Sequence, residues 1–328
     1  MIMKYHIVAN AQASSVARLG ERVFTNLAEQ ILGSSLASVE ITSCEDLKEV
    51  FNHYAQNIND KAVILACGGD GTARTAALSA LKHNVALGIL PGGTFNTVSR
   101  ALRVGGDLKE SLERYAQSPL KSSFMDAGYA NGQIFLSTLT LYGGSPLVES
   151  MKAARNFKSK RELFLSLSGF FDFASGMLKE HDLYEFFLDG AMDEPEEFSA
   201  LDRHDIFQSS RILVTNGEFD TKKNLIELLK TPRGLRENHF GVYAGHPERW
   251  RDIYEAGWRI LEGEWAHSRA LKVLKTKSLT VRQPSDNPER TGFQAQLDGE
   301  HDFIEGQELK IRNHKAEIPL ILPENSVL

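Results

Sequence analysis

The sequence predicts an α/β domain followed by a second domain of mainly antiparallel β-structure. Three observations support this. In the first third of the chain, short apolar runs alternate with amphipathic segments, as in a parallel sheet with crossover helices. After Asp126, strand-like runs follow one another through turns, which favours antiparallel pairing. At 328 residues, the chain is long enough to bury two cores.

The first domain is predicted over residues 1–126, and residues 313–328 could return to complete it. In chain order its elements are strand 5–9, helix 15–32, strand 38–42, helix 45–57, strand 62–66, strand 85–90 and helix 97–102. Each is assigned from its apolar periodicity. Ligands of open parallel sheets bind beyond the carboxyl ends of the strands, so the loops after these strands are the expected site.

The second domain is predicted over residues 127–312. Its elements are strands at 128–131, 133–141, 183–188 and 206–215, helices within 150–179 and 246–264, and short strands from 271 onward. The pattern alone does not show whether residues 317–322 pack on the second domain or return to the first.

A glycine-rich turn, Gly68-Gly69-Asp70-Gly71-Thr72, joins a buried strand to a helix. Glycine lets backbone N–H groups approach an anion, and a helix N-terminus adds unpaired donors and partial positive charge. Asp70 would repel a phosphate unless a divalent cation lay between them, so the motif indicates a metal-bridged polyphosphate. The alternative is a plain strand-to-helix turn with Asp70 as the helix cap.

A second glycine loop, Pro91-Gly92-Gly93-Thr94-Phe95-Asn96, repeats this arrangement after the next strand. Both loops are expected at one edge of the sheet. Hydroxyl and amide groups such as those of Thr94 and Asn96 can bind phosphate or shape the loop, although ordinary turn chemistry would also explain them.

Composition excludes several classes of protein. The net charge of −6 argues against a general nucleic-acid binder. Cys44 and Cys67 have no metal-ligand spacing, and both are expected to be reduced and buried. The N-terminus runs directly into a strand without a signal region, and no stretch approaches the length of a membrane span. We therefore expect a cytoplasmic protein, with peripheral contact at the inner membrane face as the possible membrane association, and a homodimer is possible.

These motifs together resemble the diacylglycerol and sphingosine kinase family of lipid kinases. The segments occur in the family's order: Asn10, Gly68 to Thr72, Leu90 to Asn96, Met125 to Gly128, Thr215 to Gly217 and Leu297 to Glu300. The resemblance implies a nucleotide-binding domain with a fold like that of NAD kinase and phosphofructokinase, a C-terminal β-sandwich, and ATP with Mg²⁺ in the cleft between them.

The resemblance also implies roles for individual residues. It assigns nucleotide binding to Asn10, Thr42, Gly68, Gly69, Gly71, Thr72, Thr94 and Asn96. Asp70, Asp126 and Glu300 are implied as the catalytic, magnesium-holding acids, with magnesium held largely through water. Glu300, after the expected Asp298-Gly299 turn, is the implied general base that accepts the proton of a lipid hydroxyl.

The implied function is an ATP-dependent lipid kinase that phosphorylates a hydroxyl of diacylglycerol or a related amphiphile. A NAD kinase-like enzyme and a catalytically silent nucleotide- or lipid-binding regulator are the alternatives. Aspartates of the family's structural metal loop are missing near 237–241, so no second magnesium site is predicted there.

A basic and aromatic segment, Lys152–Phe173, has two interpretations. Its cations precede an apolar, phenylalanine-rich run, which suits docking on an anionic membrane surface. A core helix with a solvated, charged start explains the same pattern and is the favoured interpretation.

Overall fold

The fold is an α/β unit joined to a sheet-rich unit. This computed structural model describes residues 3–59, 61–94, 96–141, 184–191, 206–209, 211–217, 234–245, 249–262, 264, 267–283 and 291–326. Its helices are α1 (Ser14–Leu19), α2 (Glu21–Leu32), α3 (Leu47–Asn57), α4 (Asp70–His83), α5 (Thr97–Ala101), α6 (Leu108–Gln117) and α7 (Trp250–Glu262), with a 3₁₀ turn at Gly33–Ser35.

In the described part of the chain, the strands outnumber the helices. They are β1 (Lys4–Asn10), β2 (Leu36–Thr42), β3 (Ala62–Gly68), β4 (Leu87–Pro91), β5 (Leu120–Ala130), β6 (Gln133–Phe135), β7 (Thr138–Leu141), β8 (Tyr184–Ala191), β9 (Ile206–Ser209), β10 (Arg211–Asn216), β11 (Phe240–Gly245), β12 (Leu271–Arg282), β13 (Gly292–Leu297), β14 (Glu300–Glu305) and β15 (Glu308–Pro323).

The first unit contains the predicted parallel sheet. Strands β2, β1, β3 and β4 are neighbours in that order, and each adjacent pair is parallel. Crossover helices between them confirm the βαβ pattern read from the apolar periodicity. As a result, the carboxyl ends of β1, β3 and β4 lie at one edge of the sheet.

The later strands pair antiparallel, as predicted. From β14 the order runs through β13, β7, β10, β11 and β12 to β15, with antiparallel pairing at every step. The described strands thereby form one continuous network of 15 strands. The β-sandwich arrangement and the likeness to NAD kinase stay predictions.

Strand β15 joins the two units. Its first part pairs with β12, and Leu320 in its last part pairs with β4 in parallel. Both parts pair antiparallel with β5. The register shifts between His314 and Ile318, where Ala316 has a positive φ of 52°. This irregularity turns the strand from one unit into the other.

Buried apolar residues among those that the structure describes form two clusters. The first contains side chains of β1, β3, β4 and the surrounding helices, and it also includes Ile318, Leu320 and Leu322 of β15. The second is built from the end of β5, from β6–β8 and β10–β14, and from the first part of β15. The end of the chain therefore packs on the first cluster, which answers the question that the sequence pattern left open.

Two local expectations were wrong. The helix predicted over 15–32 is broken at Gly20, which has a φ of 77° and ends α1 before α2 begins. Cys67 is buried as expected, and burial raises the pKa of its thiol to about 12, but Cys44 is exposed. Within the described ranges, no helix combines the length and apolar character needed to cross a membrane.

Candidate functional site

The loops after β1, β3 and β4 contact one another through backbone hydrogen bonds. The N–H groups of Gly92 and Gly93 donate to the carbonyl oxygen of Gly68 at 2.8 and 3.0 Å, and the N–H of Ser15 donates to the carbonyl oxygen of Gly92 at 2.8 Å. Three separate segments of sequence thus meet at the edge where a ligand is expected.

The two glycine loops approach too closely for side chains. A Cβ on Gly93 would lie 2.4 Å from the Cα of Gly69, and a Cβ on Gly92 would lie 2.8 Å from the backbone nitrogen of Gly68. Glycine is required here because the backbones themselves are in contact. The resulting surface is made largely of peptide groups, which suits an anionic ligand.

Asn10 links the first strand to the glycine loop. Its Nδ2 donates to Oγ1 of Thr72 at 3.3 Å, and its Oδ1 accepts from the N–H of Gln12 at 2.9 Å. Thr42 lies opposite Asn10 in the β1–β2 register. The structure therefore brings these predicted nucleotide-binding residues to the same edge of the sheet.

The second loop is held by its own asparagine. Asn96 has a left-handed φ of 51°, its Oδ1 accepts from the N–H of Gly93 and its Nδ2 donates to the carbonyl oxygen of Gly93, both at 2.8 Å. Thr94 is exposed, and its Oγ1 lies 3.2 Å from Oγ of Ser14. Asn96 thus shapes the loop, while Thr94 stays accessible to a ligand.

Asp70 is the first residue of α4 and connects the two loops. Its Oδ1 accepts from the N–H of Val98, which lies in the first turn of α5, at 2.9 Å. Gly69 is the N-cap of α4, and no described side chain caps this end of the helix. The N–H groups of the first turn are consequently left for solvent or a ligand.

Glu300 lies against the glycine loop. Asp298 and Gly299 have φ values of 53° and 87° and form the predicted turn between β13 and β14. The exposed side chain of Glu300 contacts Gly71 so closely that a Cβ there would lie 1.8 Å from Oε1. A carboxylate from the second unit is thereby placed beside the predicted phosphate loop of the first.

Asp298 anchors this turn. Its Oδ2 accepts from the N–H of Leu136 at 2.8 Å, and its Oδ1 accepts from the N–H groups of Ser137 and Thr138 at 2.7 and 3.0 Å. Burial raises its pKa to about 6 and the nearby charge of Asp70 adds to the rise, while the three N–H donors lower the pKa. Asp70 and Asp298 are therefore electrostatic neighbours.

Asp126 organises the junction of the two units. It is only 1% exposed, and its oxygens Oδ1 and Oδ2 accept from the N–H groups of Ala316 and Asn238, both at 2.7 Å. Its own N–H donates to the carbonyl oxygen of Leu235, and its carbonyl oxygen accepts from Nδ2 of Asn216. Both carboxylate oxygens thus hold backbone, and the magnesium role of Asp126 stays a prediction.

Among the described residues, no three His, Cys, Asp or Glu side chains form a group that could hold a metal ion. Asp70, Asp126 and Glu300 are therefore not assembled as one three-carboxylate site. Asp70 and Glu300 both flank Gly71, whereas Asp126 is engaged elsewhere. The predicted docking segment Lys152–Phe173 lies outside the described residues.

Sequence reasoning missed three residues of the site. Asp298 was recognised only as part of a turn, although an Asp-Gly turn next to a candidate base was a usable signal. Arg74 and Asp302 form an ion pair at 2.8 Å between α4 and β14. They are 228 residues apart in sequence, and no local pattern indicated the pair.

Comparison with known proteins agrees with this geometry. Residues 4–125 match the family model described as the diacylglycerol kinase catalytic domain. A proposed lipid kinase of Staphylococcus aureus strain JH9 is 32% identical over 76 residues, which cover 23% of each chain. One from Staphylococcus haemolyticus is 30% identical over 103 residues, 31% of each chain. The matched region is thus about a quarter to a third of these relatives.

Solved structures extend the likeness of fold to the whole chain. A proposed diacylglycerol kinase from Bacillus anthracis strain Sterne superposes with a TM-score of 0.67 at 18% identity, covering 99% of this chain and 98% of that one. A second such structure from the same organism gives a TM-score of 0.65 at 18% identity, with the same coverage. Residues 4–125 thus match the diacylglycerol kinase catalytic domain, and this match supports the family resemblance read from the motifs.

Proposed function

We propose that this chain is an ATP-dependent lipid kinase that transfers the γ-phosphoryl group to a hydroxyl of diacylglycerol or a related amphiphilic lipid. The observation that carries the proposal is the contact of Glu300 with Gly71, which puts a carboxylate beside the backbone of the candidate phosphate loop. The match of residues 4–125 to the diacylglycerol kinase catalytic domain supports the same chemistry.

The nucleotide would bind at the edge formed by the two glycine loops. The uncapped N-terminus of α4 supplies N–H donors for phosphate oxygens, and Thr94 adds an accessible hydroxyl. Asn10 and Asn96 hold the flanking loops in shape through the hydrogen bonds described above. The N–H groups of α4 and the hydroxyl of Thr94 would thus bind phosphate through their dipoles and not through a fixed charge.

Magnesium fits part of this residue set. An acidic side chain at Asp70 would repel phosphate oxygens unless a cation separated them, and its Oδ1 takes one hydrogen bond from Val98. Asp70 is therefore the residue that would hold the ion through oxygen or water. Bound there, Mg²⁺ would offset the negative charge of the phosphates. The buried oxygens of Asp126 fit this role less well.

Glu300 is proposed as the general base. Its carboxylate accepts the proton of the lipid hydroxyl as that oxygen forms a bond to the γ-phosphorus. The bond between the γ-phosphorus and the bridging oxygen of ADP breaks, and ADP leaves with that electron pair. Asp298 keeps the base in place by tying its turn to the backbone of residues 136–138.

The test is phosphorylation of lipid by purified protein. With radiolabelled ATP, Mg²⁺ and a total lipid extract, we expect labelled product in the organic phase. Glu300→Gln keeps the size of the side chain but is a poor proton acceptor, so it should bind nucleotide normally and transfer at least about 100-fold more slowly. Glu305→Gln, at the far end of β14, is the matched control.

Other outcomes would contradict the proposal. When NAD⁺ is added as a second acceptor, a labelled, water-soluble dinucleotide would indicate a NAD kinase-like enzyme. Nucleotide binding without labelled product in either phase would indicate a silent regulator. Near-normal transfer by Glu300→Gln would remove this residue from the mechanism.

A further inference from the structure

Arg74 joins the helix of the glycine loop to the hairpin that carries Glu300. It lies on α4, three residues after Gly71, and its side chain reaches the second unit. Its Nη2 donates to Oδ2 of Asp302 at 2.8 Å, and its Nη1 donates to the carbonyl oxygen of Leu297 at 3.3 Å. One side chain therefore contacts both strands of the hairpin.

These two contacts bracket Glu300. Leu297 is the partner of Glu300 in the β13–β14 register, and Asp302 is two residues beyond Glu300 on β14, so both side chains project from the same face of that strand. The guanidinium is planar, and contacts made by two of its nitrogens fix its orientation. Arg74 consequently limits both sliding and tilting of the hairpin against α4.

Arg74 also spans the two apolar clusters. Its neighbours Ala73, Ala76 and Ala77 on α4 belong to the first cluster, whereas Leu297 and Ala295 belong to the second. The turn of the hairpin is also held by Asp298, which accepts from the backbone of residues 136–138. The hairpin that carries the candidate base is thus held by two sets of hydrogen bonds, and those of Arg74 tie it to α4, the helix that begins in the glycine loop.

We propose that Arg74 is a positioning residue for phosphoryl transfer, with Asp302 as its partner. It sets the distance between the Glu300 carboxylate and the nucleotide held by the glycine loop. This role rests on the proposed function, because it assumes that Glu300 accepts the proton of the acceptor hydroxyl.

The effect on catalysis should exceed the effect on stability. The side chains of Arg74 and Asp302 are 18% and 27% exposed, so solvent partly screens the pair and its contribution to folding is modest. A shift of about 1 Å at a reacting group, by contrast, can reduce the rate by about 100-fold. Positioning and simple stabilisation therefore predict different results for the same variants.

The experiment compares three variants with a matched control. Arg74→Met keeps the aliphatic stem without donors, Arg74→Lys keeps the charge without the planar fork, and Asp302→Asn removes the partner's charge. Arg22→Met, on the exposed face of α2, is the control. For each protein, kcat and the KM for ATP are measured with a lipid acceptor, and hydrogen exchange is followed in the peptide covering 293–305.

We expect Arg74→Met to lower kcat about tenfold, with the KM for ATP within about twofold of wild type. Arg74→Lys should retain more of the rate. The double variant of Arg74→Met with Asp302→Asn should lose no more kcat than Arg74→Met alone, because both changes remove the same interaction. Exchange in 293–305 should become faster in every variant except the control.

Three results separate this inference from the proposed function. If wild type transfers phosphate and Glu300→Gln does not, full kcat in a folded Arg74→Met protein overturns the role of Arg74 alone. Faster exchange with unchanged kcat has the same meaning, since the pair would then be merely structural. A wild-type protein that phosphorylates no lipid refutes the proposed function, and with it any positioning role for Arg74.

Discussion

Replacing Gly71 with alanine should reduce activity while leaving the fold intact. The new Cβ would lie 1.8 Å from Oε1 and 2.4 Å from Cδ of Glu300. Because an ordinary van der Waals contact needs more than about 3.4 Å, the carboxylate must retreat by about 1.5 Å. A displacement of that size at a reacting group predicts a loss of about 100-fold in kcat.

The free energy of unfolding should not fall with the activity of Gly71→Ala. Gly71 is the second residue of α4 and has no positive φ, so alanine suits its backbone. Alanine is favoured over glycine in a helix by about 0.5–1 kcal/mol, which offsets the cost of moving a flexible carboxylate. We therefore expect a free energy of unfolding that is unchanged or slightly higher, measured by urea denaturation.

The assay pairs kinetics with nucleotide binding. Gly245→Ala is the control, because a Cβ there would meet its nearest neighbour, the carbonyl oxygen of Ala270, at 3.9 Å. In a Glu300→Gln background, Gly71→Ala should cause little further loss, since both substitutions act through Glu300. Full activity of Gly71→Ala would refute the reasoning, and so would a loss in the double variant equal to the product of the single losses.

Two further predictions concern Asp298. Asp298→Ala should lower the free energy of unfolding by about 3 kcal/mol at pH 5, because it leaves three N–H donors, two of them in buried hydrogen bonds, without an acceptor. A change below about 1 kcal/mol in urea denaturation would contradict this. The pKa of Asp298 is raised in the folded state from 3.8 to about 6, so its contribution to stability is present below the unfolded pKa and is lost as pH rises through about 6. This pH-dependent loss of stability is about 3 kcal/mol in wild type and should be missing in Asp298→Asn. An equal pH dependence of wild type and Asp298→Asn would show that this carboxyl does not titrate in that range.

Local sequence patterns were sufficient to predict the parallel sheet and the loops at its edge. Apolar runs and glycines placed β3, α4 and the two glycine loops near their observed positions, since these elements are encoded by neighbouring residues. The Asp298-Gly299 turn was equally predictable, because a type I′ turn requires two residues that tolerate positive φ and Asp-Gly is such a pair.

Contacts between distant parts of the chain could not be predicted from local sequence patterns. Periodicity shows that residues 308–323 are strand-like, but not that β15 leaves one apolar cluster for the other through an irregularity near Ala316. The burial of Asp126 depends on backbone donors from Asn238 and Ala316, far along the chain. Such contacts depend on the tertiary fold, and one sequence carries no local trace of them.

The most direct test of the account is a crystal structure of the protein with Mg²⁺ and a non-hydrolysable ATP analogue. We predict that the phosphates lie against the backbone of residues 68–72, with the γ-phosphate facing the carboxylate of Glu300 and Asp70 nearest to the cation. Phosphates bound away from both glycine loops, or a Glu300 carboxylate turned away from the γ-phosphate, would contradict the central claim.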